Sequence, residues 1–452
     1  MTFSDGTEVL KKAIVVGGGP AGTLMALYLA EMNWKVSVYE RRDSYAPLKD
    51  SQNRRTYNIV LSPRGLMALK QARVTLPDEQ IVVLKGNVRH TPLGANKSSG
   101  FKGNISVNRN VLAQYLFHEG ISRFPAQIHY YFGHLLENID FENQVATFQN
   151  EQNEVSQEFD LLVGADGVFS TVRKLMVKQF EGFECHQNQD EMTFKICQLG
   201  KATEFSEATP DWGECFHTWS STQSITILAP PNPDGSLTGV LILPQQGEFT
   251  FDQIKSEDDV EALFSSKFPD IFAEKSLPQE LARDVLEQKL SYGGITTNCS
   301  AFNLGDGVVL VGDAAHSVWP SLGQGCNLAL ESCRVLADIL ATHNGNLEVA
   351  LPAYTLARKP DTDAIGRMSE QGFGGNKRVG NGLFFAKIIT LSLFNKLLPA
   401  FFALPALLQI NQADVGYVAI EAQWKAQGRQ LLGISLGLIV GVIAILMTGI
   451  YG

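Results

Sequence analysis

Glycines carry the strongest chemical signal in this chain. Gly17-Gly18-Gly19-Pro20-Ala21-Gly22 follows the apolar run Ala13–Val16 and precedes a helical pattern. In that setting Gly17 permits a tight turn, Gly19 lets backbone approach a pyrophosphate, and Gly22 lets helix and strand pack closely. The helix N-terminus then turns its free N–H groups toward phosphates. Glu40 lies 18 residues beyond Gly22, at the end of the next apolar run. A carboxylate there accepts hydrogen bonds from a ribose. A glycine turn alone is a weak signal, and a purely structural turn is the competing account. Strand before, helix after and acid at this distance make the signal strong.

Two further stretches point to the same chemistry. Asp313 ends the apolar run of VVLVGD and opens the small-residue turn GDAAH. A carboxylate there suits a second hydroxyl-bearing part of a cofactor. Pro320-Ser321-Leu322-Gly323-Gln324-Gly325 carries no bulky side chain before a helix starting near Asn327. Such a segment lets a flat ring lie against backbone N–H groups. A helix N-terminus aimed at the N1–C2=O side of a flavin stabilises negative charge on the reduced ring. With the stretch DLLVGADGVFSTVR at Asp160–Arg173, these segments read as one FAD site. Redox chemistry then belongs to the cofactor, and the protein supplies orientation and shielding. His316 invites assignment as a catalytic base, but a structural polar residue in its turn is the expected role.

The elements that must hold these residues follow from periodicity. Ala13–Val16 reads as a strand, Ala21–Met32 as a helix and Lys35–Tyr39 as a second strand. Residues 109–122 read as a helix, and Leu161–Gly164 and Val308–Val311 as short buried strands. This is the pattern of an α/β fold with a doubly wound, Rossmann-like FAD-binding domain. Thr218–Ala229 and Leu237–Leu243 flank the turn Pro230–Gly235, a hairpin signal. The expected organisation is a discontinuous FAD domain over 1–179 and 296–365. An antiparallel substrate sheet is inserted at 180–295, with strands from about 73–105. A helical cap follows at 366–428. Within it Leu383–Leu408 is very apolar, broken by Pro399 and Pro405, and suits a cover over the substrate or a surface lying on a membrane.

Composition narrows the function class. Of 452 residues, 44% are hydrophobic and 19% charged, and the formal net charge is −10. That balance argues against a nucleic-acid partner, whose phosphates call for a basic footprint. The six cysteines are scattered without a C-x-x-C, and the eight histidines are dispersed, so no metal site or disulfide framework follows from spacing. The polar N-terminus MTFSDGTEVLKK lacks a signal-peptide pattern. Leu431–Tyr451 is uncharged. As a helix it spans roughly 30 Å, so a C-terminal transmembrane helix in contact with membrane lipid is expected. Lys425 and Arg429 precede it, which keeps the larger part of the chain on the cytoplasmic side.

At this point the chain resembles the class A flavoprotein monooxygenases of the para-hydroxybenzoate hydroxylase type. That group carries a G-x-G-x-x-G motif, a D-G motif and a G-D motif, matched here by Gly17–Gly22, Asp166-Gly167 and Gly312-Asp313. Within it the chain is most similar to the kynurenine 3-monooxygenase family. The stretches with that look are Tyr39-Glu40-Arg41, Arg55-Thr56-Tyr57-Asn58, Leu61-Ser62-Pro63-Arg64-Gly65, Ser106-Val107-Asn108-Arg109 and Ser170-Thr171-Val172-Arg173. His217 with Trp219, Phe268-Pro269-Asp270, and Gly323-Gln324-Gly325 with Asn327 complete the set. The resemblance implies that Glu40 and Arg41 contact the adenosine end, and that Arg109 lies near the phosphates or ring edge. It implies that Asp313 holds the ribityl–pyrophosphate region, and that Cys326 and Asn327 offer backbone N–H groups to the ring. Arg109 as a plain surface arginine is the competing account. Asp166 is expected to secure its turn and to help bind NAD(P)H, with helix capping as the alternative. The implied reaction uses NAD(P)H as co-substrate and transfers one atom of O2 to the substrate, in a site closed to water. Movement of the ring between open and closed positions is the implied gate.

The substrate carries over less well. The family holds the substrate carboxylate with an arginine, two tyrosines and an asparagine. Here Asn87 falls at the arginine position, with Lys85 and Arg89 nearby; Phe101 is the nearest aromatic residue to one tyrosine. Gly372 replaces the asparagine, and Leu404–Ala406 the second tyrosine. A buried carboxylate needs a partner, so an aromatic or more lipophilic substrate than kynurenine is expected. An FAD-dependent isoprenoid reductase or epoxidase, and a non-catalytic flavin-binding membrane scaffold, are the alternatives.

Overall fold

The computed structural model describes residues 10–45, 56–91, 94–189, 191–205, 208–221, 225–272, 278–370 and 378–450, the side chains of 272, 378–385 and 435–450 excepted. Its first sheet has six strands, in the order Asn303–Leu304, Val308–Leu310, Leu161–Gly164, Lys12–Val16, Lys35–Glu40 and Ile128–Phe132. Only the first pair is antiparallel. Layers cover both faces, so these strands are near-continuous in apolar residues rather than alternating. Lys12–Val16 is buried from Ala13 onward, and Leu161–Gly164 throughout. The chain turns to one side after Lys12–Val16 and later returns on the other, which opens a crevice at that strand's C-terminal end. Helix Pro20–Glu31 rises from that point with ten of its 12 residues buried. It packs against helices Arg109–Arg123 and Gly325–Thr342.

A second sheet has seven strands, in the order Ser291–Tyr292, Met192–Lys201, Ser236–Pro244, Thr226–Ala229, Cys215–Ser220, Gly86–Thr91 and Gly94–Ser98. Helices Glu257–Lys267, Pro269–Phe272 and Gln279–Glu287 belong to its separate core, built on Trp219, Ile227, Leu241, Phe264 and Val285. Each such fully buried side chain contributes roughly 1.5–3 kcal/mol. Period-two alternation puts His217 and Trp219 in this core and leaves Phe216 and Ser220 half-buried on the other face. The expected strand Thr218–Ala229 is in fact the end of one strand and the whole of another. The second pairs with Ser236–Pro244 across Pro230–Gly235, Thr226 facing Ile242. The break falls in the polar run Ser220-Ser221-Thr222-Gln223-Ser224, which carries no glycine or proline but whose serines and threonine are a loop signal.

A third cluster joins the C-terminal segment to the first unit. Val318 and Leu328 pack with Ile365, Met368, Leu407, Ile410, Tyr417 and Ile420. The backbone over most of the expected membrane span forms the end of helix Tyr417–Ile450. Among the described residues no helix is long and apolar enough to cross a membrane. The side chains of that span beyond Ile434, and Gly372 at the family's asparagine position, lie outside the described residues, so the transmembrane expectation finds no support in the structure.

Candidate active site

The glycine turn closes as its spacing demands. Gly17 has φ +105°, and a Cβ there would sit 2.6 Å from the Ala165 carbonyl oxygen. A Cβ on Gly22 would lie 1.9 Å from the carbonyl oxygen of Gly17. Neither position admits a side chain. Gly19 differs, since a Cβ there would meet nothing within 4 Å. It is the N-cap of helix Pro20–Glu31, whose first N–H groups have no acceptor within the helix. Open space beside such donors fits a pyrophosphate.

The second glycine segment repeats the arrangement. Gly323, at φ +63°, and Gly325 likewise have nothing within 4 Å of an added Cβ. Gln324 is the N-cap of helix Gly325–Thr342, so Gly325, Cys326 and Asn327 present first-turn N–H groups. Pro320 is exposed and begins the short helical turn Pro320–Leu322. Asn327 is buried: its Oδ1 accepts from Ser62 N at 2.8 Å, and its Nδ2 donates to Val60 O at 2.9 Å and Gly323 O at 3.3 Å. The asparagine side chain is thus a clamp that sets the glycine loop against strand Asn58–Leu61, leaving its backbone N–H for a ligand.

Arg109 is the first residue of helix Arg109–Arg123, which Asn108 caps by accepting from Asn110 N at 3.0 Å. Arg109 is exposed as a residue, yet its guanidinium lies deep among protein atoms, as a side chain facing an open cleft does. Burial would lower its pKa, but the Tyr57 phenol, Asp313 and Cys326 hold it up. The Asp313 carboxyl is raised by burial, against the pull of Arg109 and Arg173. The structure therefore brings Arg109, Asp313 and Cys326 into one electrostatic neighbourhood. That placement disfavours the plain surface role for Arg109.

Glu40 is buried and saturated with donors. It accepts from Gly18 N at 2.7 Å, from Arg42 N at 3.0 Å and from Arg42 Nε at 2.9 Å. Burial pushes its carboxyl up, but the Arg42 bonds and the Gly18 N–H outweigh that and leave it below the usual range. Arg42, next to the expected adenosine contact Arg41, makes this pair, and both arginines are exposed. Glu40 braces the glycine turn before it meets any ribose. Asp166 accepts from Thr171 N at 2.6 Å and Val172 N at 3.1 Å, which secures the start of helix Thr171–Gln179. Its Oδ1 is buried without a partner, and burial raises its pKa. His316 is buried with Nε2 2.9 Å from Ser332 Oγ, and burial depresses its pKa to about 3. A neutral, enclosed imidazole is a structural residue, as its turn suggests.

The sequence did not announce the buried network behind the flavin loop. Arg64, 1% exposed, donates to Glu331 Oε1 at 3.0 Å and to Ile410 O at 2.8 Å, and stacks 3.9 Å over the Tyr417 ring. Arg358 donates to Glu331 Oε2 at 2.7 Å and Ser332 Oγ at 2.8 Å. Gln324 donates to Asn411 Oδ1 at 2.9 Å. The available signal was Glu331 inside the apolar helical run NLALESCRVL. A second buried chain lies in the seven-stranded sheet. Asp270 Oδ2 is 2.5 Å from His90 Nδ1, His90 Nε2 is 2.9 Å from His217 Nδ1, and Trp219 Nε1 donates to Asp270 at 3.0 Å. His217, Trp219 and Asp270 were recognised as motif residues; His90 was not. On the opposite side of the same strands Asn87, Arg89, Phe216 and Thr218 share one face. The Phe101 ring lies tilted against Phe216 with centroids 4.9 Å apart, and Lys85 is tied to Glu214 at the rim.

A family profile described as FAD binding domain matches residues 11–365. The kynurenine 3-monooxygenase of Salinispora arenicola is 32% identical over 446 residues, covering 96% of this chain and 95% of that protein. The kynurenine 3-monooxygenase of Salinispora tropica is 31% identical, covering 97% of each. Among solved structures, 2-methyl-3-hydroxypyridine-5-carboxylic acid oxygenase superposes with TM-score 0.64 at 20% identity, covering 87% of this chain and 95% of that one. PqsL of P. aeruginosa, in complex with 2-aminobenzoylacetate, superposes with TM-score 0.63 at 19% identity, covering 83% and 100%. At such identities these two likenesses speak for the fold.

Proposed function

From a chain that belongs to the FAD binding domain family, and with it to the kynurenine 3-monooxygenase-like enzymes, we propose an NAD(P)H-dependent aromatic hydroxylase whose substrate is less polar than kynurenine. One observation carries this reading: the open glycine positions 19, 323 and 325 lie at the N-termini of two helices, with Arg109 and Asp313 as charged partners in the same site. Bound FAD would supply the electron transfer and oxygen chemistry of the reaction. The residues that would hold it are Gly17, Gly19 and Gly22 with Glu40 at the dinucleotide end, Arg109 and Asp313 in the middle, and Pro320, Gly323, Gly325, Cys326 and Asn327 at the ring.

The chain's own contribution is placement. The first-turn N–H groups of helix Pro20–Glu31 neutralise phosphate charge, and those of Gly325–Thr342 stabilise negative charge on a reduced ring. The half-buried face of Phe194, Leu228, Val240, Ile242 and Phe216 supports the apolar part of a substrate and keeps water out. Asn87 at the family's arginine position supports a substrate without a carboxylate to be paired there.

The test is oxygen uptake by the recombinant holoprotein with NADH or NADPH, screened over small aromatics with peroxide measured alongside. Substrate-stimulated uptake with a hydroxylated product supports the reading. Reduction of the flavin with no oxygen incorporated refutes it in favour of a reductase. Tight binding and fast turnover of kynurenine would refute the substrate class. We further propose that the uncharged segment Leu431–Tyr451 anchors the chain in a membrane with the FAD unit on the cytoplasmic side. Recovery of the full chain in alkaline-washed membranes supports that placement, and release on washing overturns it.

A further inference from the structure

Cys185 and Cys299 face each other in the antiparallel ribbon of Cys185–Gln189 and Ile295–Cys299. The adjoining pair fixes their geometry. Ser300 N donates to Glu184 O at 2.8 Å, so Glu184 and Ser300 form a hydrogen-bonded pair and the two cysteines a non-hydrogen-bonded one. Facing Cα atoms in such pairs lie about 4.5 Å apart, with side chains drawn together on one face. Disulfides span Cα separations of about 4.4–6.8 Å. Both cysteines are free, and their thiols are within hydrogen-bond reach of one another. Cys185 keeps accessible surface between the exposed Glu184 and His186, whereas Cys299 is fully buried. The ribbon also has a place in the architecture. Through one strand the chain leaves helix Thr171–Gln179 for the substrate sheet, and through the other it returns to strand Val308–Leu310.

We propose that Cys185 and Cys299 form a redox-active dithiol, which hydrogen peroxide oxidises to a disulfide that staples two chain crossings between the FAD unit and the substrate sheet.

The two thiols are unequal in the way this chemistry needs. The hydrogen bond from Cys299 pulls the Cys185 thiol down to about 7, against burial and with help from Arg173 and His186. The same contact and burial push the Cys299 thiol well up. Burial raises the thiols of Cys197, Cys215, Cys326 and Cys333, so Cys185 is the one lowered thiol of the six. The lowered thiol of the pair presents more thiolate, the attacking form. In the first step the Cys185 thiolate attacks peroxide: an S–O bond forms, the O–O bond breaks, and hydroxide leaves to become water. In the second, Cys299 sulfur attacks the Cys185 sulfenic acid: the S–S bond forms, the S–O bond breaks, and the Cys299 proton leaves with the hydroxyl as water. Two thiols and one peroxide give one disulfide and two waters. Water entering an unclosed flavin site releases peroxide, so failed turnovers of the proposed reaction are a source of the oxidant. The test adds peroxide directly, and its outcome does not depend on that reading.

The purified holoprotein is treated with dilute hydrogen peroxide, alkylated and mapped by peptide mass spectrometry, with thiols counted after denaturation. The expected result is loss of two of the six thiols and a cross-linked peptide joining Cys185 to Cys299, reversed by dithiothreitol. In Cys299→Ala the expected product is a sulfenic acid on Cys185, trapped by dimedone; in Cys185→Ser neither product forms. Retained flavin absorbance shows that each variant is folded. A cross-link between other cysteines, oxidation of Cys185 to sulfinic acid in the wild-type chain without a cross-link, or six unchanged thiols would each overturn the proposal.

Discussion

The Tyr417 hydroxyl donates to Gln324 Oε1 at 3.0 Å, across 93 residues of sequence, and so fastens the C-terminal segment to the residue that caps the flavin-loop helix. Gln324 lies between the two open glycines. The segment after residue 405 therefore bears on the cofactor loop without being part of the FAD unit.

Tyr417→Phe should cost about 1 kcal/mol in urea unfolding, the ordinary worth of one buried hydrogen bond. It should also weaken FAD, because among the described residues the Gln324 side chain is then held by Asn411 and Leu322 only. Unchanged FAD affinity in a titration of the apoprotein would show that the fastening does not reach the loop.

Gly19→Ala and Gly22→Ala should part company. The Gly22 methyl would collide with the Gly17 carbonyl oxygen, so that variant should fail to accumulate as folded protein. The Gly19 methyl meets no protein atom, so that apoprotein should melt near the wild-type temperature. It should nevertheless bind FAD at least tenfold more weakly, about 1.4 kcal/mol, by filling space meant for the pyrophosphate. Equal FAD affinity in Gly19→Ala would move the dinucleotide elsewhere.

Glu331→Leu removes the carboxylate that bridges the guanidinium groups of Arg64 and Arg358, leaving Arg358 the more distant Asp361 carboxylate at 3.9 Å. Two buried cations left without it should cost about 3–5 kcal/mol. Chemical denaturation is the measurement, and a loss under 1 kcal/mol would mean that backbone carbonyls such as Ile410 O and Leu328 O suffice for both arginines.

Acid should destabilise the protein earlier than carboxylates alone would. His217 and His316 are buried with pKa values pushed down from 6.5 to about 3, mainly by burial. Below pH 6.5 the unfolded chain binds protons that the folded one refuses. Stability is thus full above 6.5 and falls as pH drops toward 3, by up to about 1.4 kcal/mol per pH unit for each histidine. Glu421, held down to about 2 by Arg367, adds loss in the same direction below pH 4.5. Denaturant midpoints measured from pH 8 to 4 should decline, and His316→Asn should flatten the curve; a midpoint constant over that range would contradict the burial.

Much of the site was legible because it is local. A turn that must touch phosphate needs glycine at fixed offsets, and Gly17, Gly19 and Gly22 sit where those offsets require. The parallel sheet was legible for a related reason: strands buried on both faces are written as unbroken apolar runs such as LLVG. The Thr218–Ala229 stretch breaks at the polar run Ser220–Ser224, a loop signal without the glycine or proline that marks most turns. The Glu40–Arg42 pair was not legible, because only the backbone after the strand decides which of two adjacent arginines turns back.

Sequence by itself determined that a flavin dinucleotide belongs here, since glycine spacing and helix N-termini are set within a few residues of one another. Tertiary structure alone decided what backs the site: Arg64, Glu331, Arg358 and Tyr417 meet from four distant segments, and Cys185 meets Cys299. No local rule couples such residues. Their partnership arises because burial forces each polar group to find a partner, and the partner is whatever the packed fold brings within reach.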